Sequence, residues 1–207
     1  MKILPLAYLG SQEWWREALS PDAVIDVGEH YIKQTCRNRT EIATASGRMT
    51  LTANVMKGAS IHKKAVKDMR LDYSKRWQHQ HAVALRSAYK SSPYFDFYGE
   101  EFAPFFERQY DFLVDWNADL CRTAMRALGI GKELNISERW INAEATKTFD
   151  YDLRGAFSPK PRLAMADERF EPQPYCQVFA DRAPFAPNIS ILDLLFCEGP
   201  AATTILR

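Results

Sequence analysis

The residues best suited to chemistry cluster in Tyr31–Arg39 (YIKQTCRNR), directly after a stretch that predicts a β-strand at 23–31. Three cations, an amide and a phenol lie within nine residues. If the segment is extended, Lys33, Arg37 and Arg39 share one face and Asn38 points the other way. Guanidinium groups match carboxylate and phosphate oxygens, and open α/β sheets bind ligands at the carboxyl ends of strands. The segment therefore predicts a pocket for a small anion: a nucleotide, a nucleotide sugar or a carboxylate.

A structural role for the same cations is the alternative. Residues 33–76 hold eleven Lys and Arg against three acids, whereas residues 96–119 hold seven acids against one Arg. Such asymmetry steers ligands or partners, or it reflects a basic and an acidic face that lie against one another or against water. In that interpretation Arg37 and Arg39 pair with the acidic region.

Two histidines are candidates for acid–base catalysis. His30 precedes the cationic segment, and its ordinary pKa near 6.5 suits proton transfer; an ordinary hydrogen-bonding role is the alternative. His81 and Trp77 fall on one face of a predicted helix, where an aromatic wall would suit a sugar or a purine; a place in the core is the simpler alternative. His79 and His81 point about 200° apart on a helix, so we expect no metal site there.

Further along the chain, Gln173, Tyr175 and Gln177 form a polar-aromatic run that could close a pocket. Asp193 is interpreted as the acidic half of a capping box that begins at Ser190. The sequence has no nucleophile elbow, no Cys–His signature and no paired carboxylate motif. Gly10 and Ser11 make neither a phosphate loop nor a dinucleotide fingerprint. The cofactor therefore stays unknown.

The surrounding pattern predicts the elements that must position these residues. We expect a strand at 2–8, a helix at 12–19 capped by Ser11, and the strand at 23–31 parallel to the first. A hairpin follows at 40–45 and 49–56. A long central region of two helices, 75–91 and 99–128, breaks near Pro104 and ends at Gly129. We then expect strands at 133–142 and 175–180, an irregular segment at 143–174, and a helix at 190–198. The prediction is one α/β domain over 1–207, with a mixed, mostly parallel sheet and helices packed on it.

The charge, cysteine content and apolar runs of the whole chain limit the partners and the cellular location that we expect. A net charge of +1 over 207 residues gives no case for nucleic acid as a partner. The four cysteines are irregularly spaced, which indicates reduced thiols rather than a disulfide framework or a zinc site. The start, MKILPLAYLG, lacks a cleavage site, and no apolar run reaches the ~20 residues of a membrane span. We therefore expect a cytoplasmic protein of unknown oligomeric state.

Several stretches keep their order and spacing over residues 2–206: YIKQTCRNRTEIATASGRMTLT (31–52), Trp77-x3-His81-x7-Tyr89, SSPYFDFY (91–98), PQPYCQVF (172–179) and APNISILDLLFCEGP (186–200). Together they resemble the WbqC-like protein family, in particular its short Bacteroidetes-type members. The resemblance carries the family's pattern onto Lys33, Arg37, Asn38, Arg39, Trp77, His81, Tyr175, Gln177 and Asp193.

This resemblance implies a role in surface-polysaccharide (O-antigen, lipopolysaccharide) synthesis and, if the protein is an enzyme, an acyl- or aminoacyl-type transferase. A non-catalytic protein that binds a sugar or an assembly partner is the alternative. Many relatives have a His-Gln-Pro element where this chain has Leu6-Ala7-Tyr8. A step that depends on that histidine would need another group here.

Overall fold

The computed structural model describes residues 1–58, 61–137, 139–157 and 170–206. Its elements, in chain order, are β1 (Lys2–Leu4), α1 (Gln12–Ala18), β2 (Ala23–Asp26), β3 (Arg39–Thr44), β4 (Gly47–Thr52), α2 (Trp77–Tyr89), α3 (Phe95–Phe102), α4 (Leu113–Ala127), β5 (Ile136–Ser137), α5 (Ala143–Thr146), β6 (Tyr151–Asp152), α6 (Ile191–Glu198) and α7 (Ala202–Ile205). Short 3-10 helices lie at Ile61–Lys63, Val66–Asp68, Ala103–Phe106 and Gly199–Ala201.

Four parallel strands form the main sheet in the order β5-β2-β1-β6. The central strand β2 is buried along its whole length, as is usual when helices cover both faces of a parallel sheet. The hairpin β3–β4 forms a second, antiparallel sheet. The predicted α/β class with a mostly parallel sheet is confirmed.

Local signals in the sequence set several boundaries. Ser11 caps α1 and accepts a hydrogen bond from the backbone N–H of Trp14. Gly129, with φ of +68°, follows the end of α4, a conformation that suits glycine best. The predicted 99–128 helix is two helices, because the chain enters a 3-10 turn with Pro104 in its first turn. Pro104 has no N–H to continue an α-helix.

Two strand predictions need correction. Residues 175–180 form no strand. Instead, β6 pairs with β1 from within the segment predicted to be irregular (143–174), of which 158–169 lie outside the described residues. A two-residue strand has too short a pattern to be recognised, and it exists because β1 offers it an edge.

Aromatic side chains fill the core between α2 and α4. The Trp116 ring lies 4.5 Å from Tyr8 and 5.1 Å from Trp77, measured between centroids. Tyr8 belongs to the loop after β1, so this cluster fixes the carboxyl end of the sheet against the helices. Among the described residues, no helix has the length and apolar character needed to cross a membrane.

Candidate functional site

The carboxyl edge of the parallel sheet carries a buried pair of opposite charges, Glu29 and Arg37. Arg37 donates from Nε to Oε1 of Glu29 (2.8 Å) and from Nη2 to Oε2 (2.5 Å). It also donates to Oγ1 of Thr35 (3.0 Å) and to the backbone carbonyl of Arg154 (2.9 Å). Arg37 is 0% exposed. A guanidinium with this many buried acceptors holds the loops after β2 and β6 together and has no donor directed at solvent.

Burial and charge act in opposite directions on Glu29. Burial raises the pKa of its carboxyl group to about 7, although the Arg37 guanidinium pulls that pKa down. Because both members of the pair are sealed from water, removing either one would leave the other in the interior without its partner. Glu29 is nevertheless the acid at this edge whose pKa lies nearest to neutrality among those resolved in the described residues.

Arg154 forms a second ionic cluster beside the first. Its Nη1 donates to Oδ2 of Asp26 (2.9 Å), and its Nε and Nη2 donate to the two oxygens of Asp152 (2.9 and 2.6 Å). Burial alone would raise the pKa of Asp152, but hydrogen bonds from Arg154 hold it below its ordinary value. Asp26 also accepts from the backbone N–H of Gly28 (2.9 Å). The carboxyl edge is thus tied together by ion pairs from β2, the 31–39 segment and β6.

The predicted single face of three cations does not form. Residues 33–38 make turns, with Gln34 at φ +65°. Lys33 is therefore exposed, Arg37 is buried and Arg39 is half-buried. The structural alternative is also wrong in its partner, since Arg37 pairs with Glu29 and not with the acidic 96–119 region. That region does pair with the basic one elsewhere, through Arg70 and Asp111 (3.5 Å).

Arg39 differs from Arg37 in one decisive respect. Its Nε is buried, and no described residue accepts a hydrogen bond from it. The side chain lies near Tyr31, whose pKa is raised to about 12 by burial against the pull of Arg37 and Arg39. A buried N–H without an acceptor costs about 1–3 kcal/mol. Arg39 is therefore the arginine of the segment that retains an unused donor.

Two amides on either side of Arg37 also have unused atoms. Asn38 donates to the backbone carbonyl of Ala53 (2.9 Å), and Asn117 donates to that of Arg37 (2.7 Å). The side-chain oxygen of each is buried without a partner among the described residues. Native proteins leave few such atoms unpaired, so these two amide oxygens can each accept a hydrogen bond that the described residues do not supply.

His30 lies at the rim of this edge. It is exposed, and its ring stacks on Trp140 with 5.7 Å between centroids and 18° between planes. Trp140 is itself 56% exposed. The pair presents a flat aromatic surface beside an imidazole that solvent can reach.

His81 and Trp77, by contrast, lie in the aromatic core. The Tyr8 hydroxyl lies 2.9 Å from Nδ1 of His81, and the ring also hydrogen-bonds to the backbone of Thr52. Burial lowers the pKa of His81 to about 4. Trp77 donates from Nε1 to the carbonyl of Asp72 (2.9 Å) and packs edge-on against His81. A sealed imidazole with this pKa is neutral at physiological pH, which suits packing better than proton transfer.

Tyr175 and Gln177 meet at Asp193, far along the chain from the cations. The Asp193 carboxylate accepts from Tyr89 (2.7 Å), Tyr175 (2.7 Å) and Gln177 (3.0 Å). Burial raises the pKa of Asp193, whereas these three hydrogen bonds lower it. The capping-box interpretation is therefore half right: Ser190 caps α6, but the Asp193 side chain anchors the 175–177 segment instead.

Beside this anchor lies a cleft of about 500 Å³ lined by Gln177, Cys176 and Cys197, among others. Gln173 lines a different cleft, of about 210 Å³. The structure thus distributes the predicted site residues over three places: the carboxyl edge, the aromatic core and the Asp193 anchor. Among the described residues, no group of three or more His, Cys, Asp or Glu is arranged to hold a metal ion.

Sequence reasoning missed the acids and the second arginine of the carboxyl edge. Asp26 and Glu29 stand out in retrospect as acids in an apolar stretch (AVIDVGEHY) at a strand end. Such acids need a buried partner, which is a usable signal. Asp152 and Arg154 gave no such signal, because the segment that contains them has no recognisable hydrophobic periodicity.

Comparison with known proteins bears on the same region. The model of the WbqC-like protein family matches residues 22–157, a range that contains both ionic clusters. No match was found among curated proteins or among solved structures.

Proposed function

The chain belongs to the WbqC-like protein family, and we propose that it binds a small anionic ligand at the carboxyl edge of its parallel sheet. We further propose that it transfers an acyl- or aminoacyl-type group from that ligand during surface-polysaccharide synthesis. The observation that carries the proposal is the contrast between neighbouring arginines. Arg37 is saturated by Glu29, while Arg39 keeps a buried donor with no acceptor among the described residues.

The ligand's anionic group would accept from Arg39, and the exposed Lys33 would add long-range attraction. The resemblance supports the same location. The family's His-Gln-Pro element falls at residues 6–8, and here the backbone N–H of Tyr8 donates to the carbonyl of Cys36 (2.8 Å). The loop that carries the histidine in many relatives therefore borders the cationic segment.

In the proposed transfer, an amine or hydroxyl of a sugar attacks the acyl carbon of an activated donor. The new bond forms as the bond to the donor's leaving group breaks, and the attacking group loses a proton. We assign the acceptance of that proton to His30; its exposure at the rim supports this assignment, whereas His81 is sealed. Glu29 has a pKa of about 7, so the net charge of the carboxyl edge would change as this carboxyl group gains or loses a proton near neutral pH.

A non-catalytic sugar-binding role is the second candidate. It is favoured by the exposed His30–Trp140 stack, because a flat aromatic surface suits the apolar face of a sugar ring. The two candidates differ in one result: an enzyme turns over donor and acceptor, whereas a binding protein only retains the sugar.

A thermal-shift screen tests the anion site. Nucleotides, nucleotide sugars and acyl carboxylates would be tested on the wild type, on Arg39→Gln and on Lys33→Gln. Arg76→Gln, an exposed cation at the start of α2, is the matched control. A ligand at 100 times its Kd adds roughly 2.7 kcal/mol of stability, which corresponds to roughly 5–10 °C in Tm for a chain of this size.

The proposal expects this shift to be lost in Arg39→Gln, reduced in Lys33→Gln and kept in Arg76→Gln. If Arg39→Gln keeps the full shift for every ligand that stabilises the wild type, the site is misassigned. Arg37 is unsuitable for this purpose, because its loss would unfold the edge whatever the ligand does.

A further inference from the structure

An apolar cleft of about 420 Å³ lies between α2, α3 and the 3-10 turn that follows α3. Its lining is largely aromatic. The Phe196 ring, on α6, meets the rings of Phe95 and Phe102 edge-to-face, with 5.2 and 6.1 Å between centroids. Phe106 and Leu85 add to the apolar surface. A cavity of this volume with an apolar lining is typical of small-molecule sites, and this one shares no residue with the carboxyl edge.

The charged side chains that line this cleft are mostly acidic. They are exposed, and they are Asp96, Glu100, Glu107 and Arg86. Within the part of the chain that the structure describes, none of the four forms an ion pair. Arg86 thus lines the same cleft without pairing with any of the three carboxylates. Three carboxylates against one guanidinium give the cleft a net negative charge, which attracts a cation.

The helix α3 (FDFYGEEF) strengthens this preference for a cation, because it has no basic residue. Asp96 and Glu100 are four residues apart on it, so they lie on the same face, and like charges at this spacing repel each other. Glu100 also lies in the last turn of α3, near the negative end of the helix dipole. Further along the same acidic region, Asp111 and Asp119 each pair with an arginine. The carboxylates at the cleft are therefore the ones that a bound cation would balance.

We propose that this cleft binds a small organic cation, which consists of an ammonium group on an apolar body. The apolar body packs against the phenylalanine rings, and the ammonium group lies among the carboxylates of Asp96, Glu100 and Glu107. An ammonium ion is attracted to the face of an aromatic ring as well as to a carboxylate, so the rings and the acids select the same ligand. A carboxylate or a phosphate would be repelled. This site is independent of the proposed function, whose ligand is an anion.

Titration with 4-phenylbutylammonium tests the site. The backbone amide signals of Gly99 and Ala103 report binding in nitrogen-15 spectra, because both residues line the cleft. Two analogues keep the apolar body and change the charge: 4-phenylbutanol is neutral, and 5-phenylpentanoate is negative. The variants are Glu100→Gln/Glu107→Gln and Arg86→Gln. Glu101→Gln is the matched control, since Glu101 is an exposed acid of the same helix that does not line the cleft.

We expect saturable shifts of both signals with the cation, weaker binding of the alcohol and the weakest binding of the carboxylate. The Glu100→Gln/Glu107→Gln variant should bind the cation about tenfold more weakly and the alcohol as the wild type does. Arg86→Gln should bind the cation roughly two- to fivefold more tightly, and Glu101→Gln should match the wild type. Higher salt should weaken binding of the cation and leave that of the alcohol unchanged.

Absence of saturable shifts with the cation overturns the proposal. So does equal affinity for the three ligands, or wild-type affinity for the cation in the double variant. If the double variant also loses the alcohol, Arg86→Gln decides, and no gain in its affinity for the cation overturns the proposal. None of these results bears on the Arg39 site, whose ligands and variants are separate.

Discussion

Replacing Arg37 with methionine removes the cation from an interior pair. Glu29, which is 4% exposed, loses the two hydrogen bonds it receives from the guanidinium, at 2.8 and 2.5 Å. The Thr35 hydroxyl and the Arg154 carbonyl each lose a donor as well. Removing one member of a buried ion pair typically costs about 3–5 kcal/mol. For a chain of about 200 residues this corresponds to a fall in Tm of roughly 6–20 °C.

Urea unfolding followed by tryptophan fluorescence measures this loss, because four of the five tryptophans are buried in the core. Arg39→Met is the matched control. Arg39 is half-buried and makes no ion pair among the described residues, so its loss should change the unfolding free energy by no more than about 1 kcal/mol. In the double variant Glu29→Gln/Arg37→Met no charge remains stranded, and its destabilisation should be smaller than the sum of the two single ones. Equal effects of Arg37→Met and Arg39→Met would refute the assignment of Arg37 to structure.

Three further predictions concern the core and the turns. His81 has a folded-state pKa of about 4, below the ordinary 6.5; its contribution to stability is therefore present above pH 6.5 and is lost, by roughly 3 kcal/mol, as pH falls through 4. The difference in urea midpoint between wild type and His81→Gln should shrink over that range, and a constant difference would contradict the buried neutral imidazole. Asp193→Ala should destabilise the chain by about 3 kcal/mol or more, since it strands three donors, whereas Asp193→Asn should cost less; equal effects in thermal melts would count against the anchor. Gly28→Ala would place its Cβ 2.3 Å from the backbone nitrogen of Trp140 and should lower the free energy of unfolding by about 1–3 kcal/mol. Gly131→Ala, with open space around it, should leave the thermal melt nearly unchanged.

The wild-type pH profile alone would not test the His81 prediction. The raised pKa of Glu29 gives stability that is present below pH 4.5 and is lost as pH rises through about 7. This dependence has the opposite sign to that of His81 over an overlapping range. Only the difference between the variant and the wild type isolates the histidine.

Elements with local signals could be predicted from the sequence. The Ser11 cap, the Ser46-Gly47 turn of the hairpin and the stop at Gly129 each depend on residues within one turn of the chain, and the structure confirms all three. The strands β5 and β6 have two residues each. β5 lies inside the strand predicted at 133–142, but its short length and the whole of β6 depend on pairing with the neighbouring strands, which no local pattern defines.

The site was harder to predict because its partners are distant in the chain. The sequence shows the cluster of cations at 31–39. Which of Arg37 and Arg39 is buried depends on the turns at 33–38, and the assumption that the segment is extended did not predict those turns. Arg37 is fixed by Glu29, eight residues before it, and by the Arg154 carbonyl, 117 residues after it. Asp193 had the spacing of a capping box, yet Tyr89, 104 residues away, determines its role.

The central claim is that Arg39 keeps a donor open for a ligand while Arg37 does not. Nitrogen-15 spectra of the arginine Nε–H groups, assigned with Arg39→Lys, test it most directly. On titration with inorganic phosphate, the Arg39 Nε–H signal should move saturably, and the Arg37 signal should stay in place and exchange slowly with solvent. A stationary Arg39 signal, or movement of the Arg37 signal instead, would contradict the account.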